Sequence, residues 1–399
     1  MRKPRLSTTN VVALFLLFFA MLGVLNQATA QQSRNAYNTY DEKRREANDI
    51  SVSIIVAGLT CTCARFAEDI RNVVNNLKPD GLRVLPVLGV GGLQTLNDVL
   101  FLKGIDMGVV DEDNLRLLKQ RNPALYSDIE QRVQYIAKLY NSEFHVLARN
   151  DVQSYEDLNG KKVNFNLKDS QTDVTADVVF SGLGINVERS YYDNDEAIRR
   201  LRDGEIAAMI ILTGAPQAAL VKLTSEDHMH FLPLDEQSLP GRKVAPILTT
   251  YLPSALTHEE YPALIPEGTS VPTIGNRALL VTYAWPGDSP RYARVAKFVR
   301  EFFGKIDQFQ SGARHPKWRE FNAEAEIPGW TRFKPAADWV AEHKVARARS
   351  SGVAQSGDIS ALFERYVQST STGQKTLSDD ERNALFAKFE QFLASQHHQ

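Results

Sequence analysis

The chain has 399 residues, with 46 lysines and arginines against 48 aspartates and glutamates, for a formal net charge of −2. That balance, without a basic block, argues against nucleic acid as a partner. Two cysteines cannot build a disulfide scaffold, so stability must come from an apolar core, and a chain of this length can bury two or three.

The N-terminus reads as an export signal. Arg2, Lys3 and Arg5 precede an apolar run from Val11 to Leu25, and Ala28-Thr29-Ala30 follows with small residues where a signal peptidase looks. The run falls short of the ~20 residues that span a bilayer, so a cleaved signal over 1–30 is expected rather than a retained anchor. No cysteine follows it to carry a lipid. Loss of the three basic residues takes the charge to −5. The expected location is the periplasm. Residues 31–50 are polar and charged and read as a loose leader.

"SVSIIVAG" from Ser51 is β-branched, apolar and ended by Gly58, as a buried strand would be. "RFAEDIRNVVNNL" places Phe66, Ile70, Val73, Val74 and Leu77 at helical intervals. "LRVLPVLG" reads as a second strand, "LQTLNDVLFLKG" as a helix and "IDMGVVD" as a third strand. This order implies a parallel sheet with helices on its faces. The pattern then recurs. "EFHVLAR" (143–149) is a strand, and a short helical turn, Gly160 and another strand follow it. A helix ends at Gly182 or Gly184, and a second, with acidic residues in its first turn, ends at Gly204. "IAAMIILTG" is a strand, and "APQAALVKL" opens a helix with Pro216 near its start. "RALLVTYAW" (277–285) is a late strand, and "SPRYARVAKFVREFFGKI" a long amphipathic helix.

The expected organisation is a first lobe over 51–142, a second over 143–276 and a return to the first over 277–345. Two crossings make a hinged clamp with a ligand cleft. A polar linker over 346–358 and a helical extension over 359–399 would complete the chain, with Ser378 and Glu381 spaced as a capping box.

Ligands gather beyond the carboxyl ends of parallel strands. Four such ends carry small or hydroxyl residues ahead of an expected helix: 58–63, 89–97, 166–177 and 213–216. Each alone is explained by helix capping. Together, spread over both lobes, they point to a shared cleft whose free amides and hydroxyls suit an anion. The ligand-contact candidates are Thr60, Cys61, Thr62, Gln94 and Asn97 from the first lobe, and Ser170, Thr172 and Thr213 from the second.

"GLRVLPVLGVGGLQTLNDVLFLKGIDMGVVDED", "LYNSEFHVLARNDVQSYEDLNGKKVNFNLKDSQTDVTADVVFSGLGI", "DGEIAAMIILTGAPQAAL" and "IPEGTSVPTIGNRALLVT" resemble, in order and spacing, blocks of the TAXI-type solute-binding proteins of TRAP transporters. The resemblance covers roughly 50–310. It implies a two-lobed α/β fold of the type II periplasmic-binding-protein kind. It also implies delivery of a small solute, often a carboxylate or amino acid, to a TRAP-type membrane permease. Ser170, Thr172, Thr175 and Ala176 match the family's third segment, and Asn97 keeps an asparagine of the second. The first loop departs: Cys61-Thr62-Cys63 stands where the family carries glycines, and Ala64-Arg65 where it carries aromatics. A different solute is the expected consequence.

Cys61 and Cys63 could form a tight local disulfide, remain free thiols, or act chemically at a helix N-terminus; the disulfide is favoured. His228-Met229-His230 places alternate histidines on one face of a strand, the start of a metal site, but lacks a third ligand. His145 reads as a packed core residue. Asp111-Glu112-Asp113 reads as the cap of a helix starting near Asn114 rather than as an acid–base pair. The function expected is a non-enzymatic, monomeric receptor that closes on a small polar or anionic solute, with no cofactor and no metal. The alternatives are a clamp that presents its solute to a membrane signalling receptor, and an exported enzyme working through Cys61 and Cys63.

Overall fold

A computed structural model describes residues 39–344 apart from 77, 79–80 and 312–313. The expected signal, linker and C-terminal helical extension lie outside the described residues. Two compact units divide the chain, Met1–Ala336 and Ala337–Gln399, and the sheet and its helices belong to the first. No helix among the described residues is long and apolar enough to cross a membrane.

The leader holds a helix, α1, over 39–49, where a loose segment was expected. Its composition explains the difference: good helix formers dominate "YDEKRREAN", and Lys43 pairs with Glu46 one turn on. The first half of the fold follows. β1 (Ser51–Val56), α2 (Thr62–Val74), β2 (Arg83–Leu88), α3 (Gly92–Phe101) and β3 (Met107–Asp111) alternate as their patterns require. In α2 the apolar spacing buries Phe66, Ala67, Ile70 and Val74 on one face. Phe66 stacks on Trp318 at 4.0 Å, and the Trp318 indole N–H donates to Asp69 (2.9 Å). After α4 (Asn114–Arg121) and α5 (Ile129–Arg132) comes β4 (Val133–Arg149), one strand of 17 residues.

The second half is built from β5 (Lys162–Asn164), α6 (Gln171–Leu183), β6 (Glu188–Ser190), α7 (Asn194–Arg202) and β7 (Ala208–Thr213). Gly184 ends α6 in the left-handed conformation (φ 66°). β8 (Met229–Phe231), α8 (Ala245–Thr250), β9 (Leu252–Thr257) and β10 (Ser270–Tyr283) follow, then α9 (Pro290–Phe303), α10 (Ile306–Gln310) and a short β11 (Thr331–Arg332). "APQAALVKL" forms no α-helix: a cis Ala215–Pro216 bond and a short 3-10 turn at Leu220–Lys222 occupy it.

The strand order is β2-β1-β3-β10-β4-β7-β5-β6, with β8 and β11 on β4 and β9 on β10. The sheet is mixed rather than parallel. β1 runs parallel to β2 and β3, and β5 to β6 and β7, but β10 is antiparallel to β3, β4 and β9, and β4 is antiparallel to β7. The reason is that β4 and β10 are return strands. β10 joins β3 through Ala278–Thr282 and β9 through Ser270–Gly275. β4 meets β10 up to Glu143 and β7 from Glu143 onward. The first half has a core around Leu96, Val110, Leu118 and Val281, which also takes in Val174 of α6, and the second half has buried clusters around Phe144, Val163, Phe180 and Ile210 and around Leu147, Ile198, Met209 and Tyr261. The two halves are therefore joined through two long strands, with the carboxyl ends of their parallel strands facing a common space.

Candidate functional site

That space is a cavity of about 430 Å³. It is lined from the first half by Ala57–Cys61, Cys63, Leu88, Val90–Gly92, Val109 and Asp111. Tyr140 and Ser142 of β4 and Ala278 of β10 form its back. The second half supplies Asn166, Leu167, Ser170–Thr172, Asp193–Asp195 and Ile211–Thr213. Among the described residues, four helices begin on it. Their N-cap residues are Cys61 for α2, Gly91 for α3, Ser170 for α6 and Asp193 for α7, and all four line the cavity. Strand-to-helix turns at the ends of parallel strands put them there.

The caps differ. Ser170 Oγ accepts from the Asp173 N–H and Asp193 from the Glu196 N–H (2.9 Å), so both use their side chains on their own helices. Cys61 Sγ accepts from the Cys63 N–H (3.0 Å). Gly91 has no side chain to cap with, which leaves the first amides of α3 without a side-chain acceptor at the cap. Both Gly91 and Gly92 have positive φ (87° and 57°).

The halves touch across the cavity. Asn194 Nδ2 donates to Thr60 Oγ1 (3.1 Å), and Gln217 Nε2 to the Thr60 carbonyl (3.2 Å). Thr62 Oγ1 donates to the Gly214 carbonyl (2.8 Å). Gln171 Nε2 and Tyr251 Oη donate to the two oxygens of Asp113 (3.0 and 3.2 Å). A Cβ on Gly92 would lie 2.7 Å from the Gln171 nitrogen. These contacts describe a closed arrangement, with the cavity inside it.

The residues singled out from the sequence divide into two groups. Thr60, Cys61, Ser170, Thr172 and Thr213 line the cavity together. Thr172 Oγ1 accepts from the Leu212 N–H (3.0 Å), which leaves its proton free to donate. Thr62 is buried behind the wall, bonded to Thr213 and Gly214. Gln94 is exposed and donates to Asp98 (2.9 Å), and Asn97 accepts from the Tyr126 hydroxyl (2.5 Å); neither lines the cavity. Gln94 lies in the first turn of α3 but is turned to solvent, and Asn97 lies past that turn. The Cys61 and Cys63 sulfurs are bonded, with Cα atoms 5.1 Å apart, and both residues line the cavity.

Asp113 does not cap α4, although that helix starts at Asn114 as expected. Its carboxylate instead accepts from Gln171, Tyr251 and Asn276 (2.8 Å). Asp111, two residues earlier, reaches the cavity. Burial pushes its carboxyl well above the ordinary range, the nearby Asp113 charge adds to this, and the Ser142 hydroxyl opposes it. Its Oδ1 is buried without a hydrogen-bond partner. Gln171 Oε1 is in the same condition. The sequence reads Asp111 as part of a helix cap, Asn166 as the start of the 166–177 turn and Asp193–Asp195 as an acidic helix start; none of them is among the ligand-contact candidates.

The electrostatics are one-sided. Asp111, Asp193 and Asp195 line the cavity, and no lysine or arginine among the described residues does. A helix N-terminus favours an anion by about 0.3–1 kcal/mol. A full charge about 4 Å from a carboxylate interacts by ~4 kcal/mol at an effective dielectric near 20. Where Asp111 is ionised, it outweighs the helix ends nearest it.

Comparison with solved structures finds architectures similar at low identity. They include the alkanesulfonate-binding protein SsuA from Xanthomonas axonopodis pv. citri bound to MOPS (12% identity, 65% of this chain and 75% of that one, TM-score 0.39). A structure described as a periplasmic transporter matches at 12% identity over 72% of this chain and 94% of that one, TM-score 0.40. An ancestral arginine-binding protein bound to arginine matches at 12% over 68% and 96%, TM-score 0.38. Residues 105–317, more than half of the chain and including β4, β7, β10 and the second-half wall of the cavity, match the NMT1-like family, and the chain belongs to that family.

Proposed function

We propose that the protein is an exported receptor for a small solute, which it holds between the two halves of its sheet by closing on it. One observation carries this reading: a cavity between the halves onto which four helices from both of them begin, with hydrogen bonds such as Thr60 to Asn194 joining its opposite walls. A ligand bridging the walls gains contacts only in the closed arrangement, so it shifts the molecule toward that state. Thr60, Ser170, Thr172, Thr213 and Asp111 are the side chains we assign to the solute, with Cys61–Cys63 stiffening one wall. The NMT1-like assignment and the resemblance to TAXI receptors support a transport role in the periplasm, with a TRAP-type permease as the docking partner.

The test is a thermal-shift screen of the purified protein against organic acids, amino acids, amines and sugars. A solute in excess should raise the melting temperature in proportion to the logarithm of its concentration, by an amount equivalent to ~2.7 kcal/mol at a hundred times Kd. A screen in which no small solute stabilises the protein would overturn the receptor reading.

A further inference from the structure

If the protein is a receptor, as proposed above, the chemistry of its cavity also selects the class of solute. Asp111 Oδ1 is enclosed and has no hydrogen-bond partner, although Ser142 stands beside the same carboxyl group. A buried polar atom left without a partner is uncommon in a finished core and is commonly completed by a ligand or a water. Among the described residues no cationic side chain lines the cavity to answer the three carboxyl groups there. Asp193 is engaged in capping its own helix and Asp195 is exposed to solvent, so Asp111 is the buried carboxyl group left for a ligand to satisfy. At the mouth the chemistry changes: Leu59, Leu88, Val90 and Leu167 line the cavity and are exposed to solvent. The cavity thus has an unsatisfied acceptor at its base and an apolar rim.

We propose that the solute is an organic cation, a protonated amine carrying an apolar body, with its nitrogen on Asp111 and its body toward Leu59, Val90 and Leu167. A protonated amine supplies the positive charge that makes the ionised form of Asp111, disfavoured by burial alone, the stable one; it donates to Oδ1, and the rim excludes water from the pair. A simple carboxylate has the opposite character: its charge disfavours the ionised form of Asp111 still further, and among the described residues it finds no cation in the lining.

The experiment uses three probes with one carbon skeleton: hexylamine, 1-hexanol and hexanoate. Binding is measured by calorimetry near neutral pH on the full mature chain and on its Asp111→Asn variant. The expected result is hexylamine binding at least tenfold tighter than hexanoate, with 1-hexanol between them, and loss of that preference in Asp111→Asn. The wild-type preference is informative even if the variant fails to fold, and the variant's unliganded melting curve shows whether it has. Hexanoate binding as tightly as hexylamine overturns the inference and leaves the receptor reading standing. So does hexylamine binding that is unchanged in a folded Asp111→Asn. If none of the three binds while the wider solute screen yields an anionic ligand, the inference is again overturned alone; if neither yields any ligand, both readings fall.

Discussion

His145 shows how much one buried side chain can fix. Its Nδ1 lies 2.8 Å from the Glu143 carbonyl and 3.2 Å from that of Ile211, so Nδ1 carries the proton. Its Nε2 accepts from the Tyr261 hydroxyl (2.8 Å), which in turn accepts from the Gln217 N–H (2.8 Å). A second ring proton would face that hydroxyl and leave the chain of bonds without an acceptor. Burial first, against the pull of the two carbonyls, lowers the imidazole to about 4. The folded value lies below the ordinary 6.5, so this group's contribution is complete above pH 6.5 and is lost as pH falls toward 4. The loss is about 3 kcal/mol. Urea denaturation at a series of pH values should show a steeper acid loss in wild type than in His145→Gln; equal slopes would contradict the assignment. Lys317 and Glu143 form a second buried unit where β4 leaves β10 for β7, with Nζ 2.5 Å from the carboxylate and the Ala215 N–H on the other oxygen (2.8 Å). Lys317→Met strands that carboxylate, and a loss of ~3–5 kcal/mol is expected by the same method. A change below about 1 kcal/mol would mean that the pair is not buried as described. A core role for His145 was legible because it interrupts an apolar strand. Asp111 was not: a run of acidic residues before a helix looks like a cap, and only the tertiary structure shows that one of them faces a cavity.

At the scale of elements, Gly92 tests the closed arrangement. A Cβ there would fall 2.7 Å from the Gln171 nitrogen and 2.9 Å from the Ser170 carbonyl carbon, both backbone atoms of the opposite half. Its φ of 57° costs a non-glycine residue roughly another 1 kcal/mol. Gly92→Ala should therefore weaken solute binding by about tenfold or more, with a fall in unliganded melting temperature of only a few degrees, since closure rather than either core is affected. Unchanged affinity would show that the two walls do not need to meet. β1, β2, β3, α3, α6 and α9 were legible because apolar spacing and bounding glycines agreed. The first ten residues of β4 were not. Gln134, Lys138, Asn141 and Ser142 break the alternation there, and the partner strand β10 shifts register at Ala278/Leu279 and Leu280/Val281. A bulged pair loses the two-residue period that a sequence reading depends on. The start of β10 was lost for a related reason: Pro272 and Gly275 argue locally against a strand, and pairing with β9 overrides them.

For the whole molecule, the proposal is that two halves, each with its own core and joined through β4 and β10, meet over a solute. The family blocks made the general design readable from sequence, while the lining had to be assembled from turns scattered between 57 and 278. Replacing Cys61 and Cys63 together by serine should leave solute affinity within about threefold if they only stiffen the wall; abolished binding would give the sulfurs a direct part. The most direct test of closure over a solute is hydrogen exchange of the protein with and without the stabilising solute from the screen, followed at the four helix starts near 60–64, 91–95, 170–174 and 193–197. Exchange should slow at all four together, because one molecule touches both walls and holds them closed. Slowing confined to one half of the sheet, or to a surface away from these turns, would contradict it.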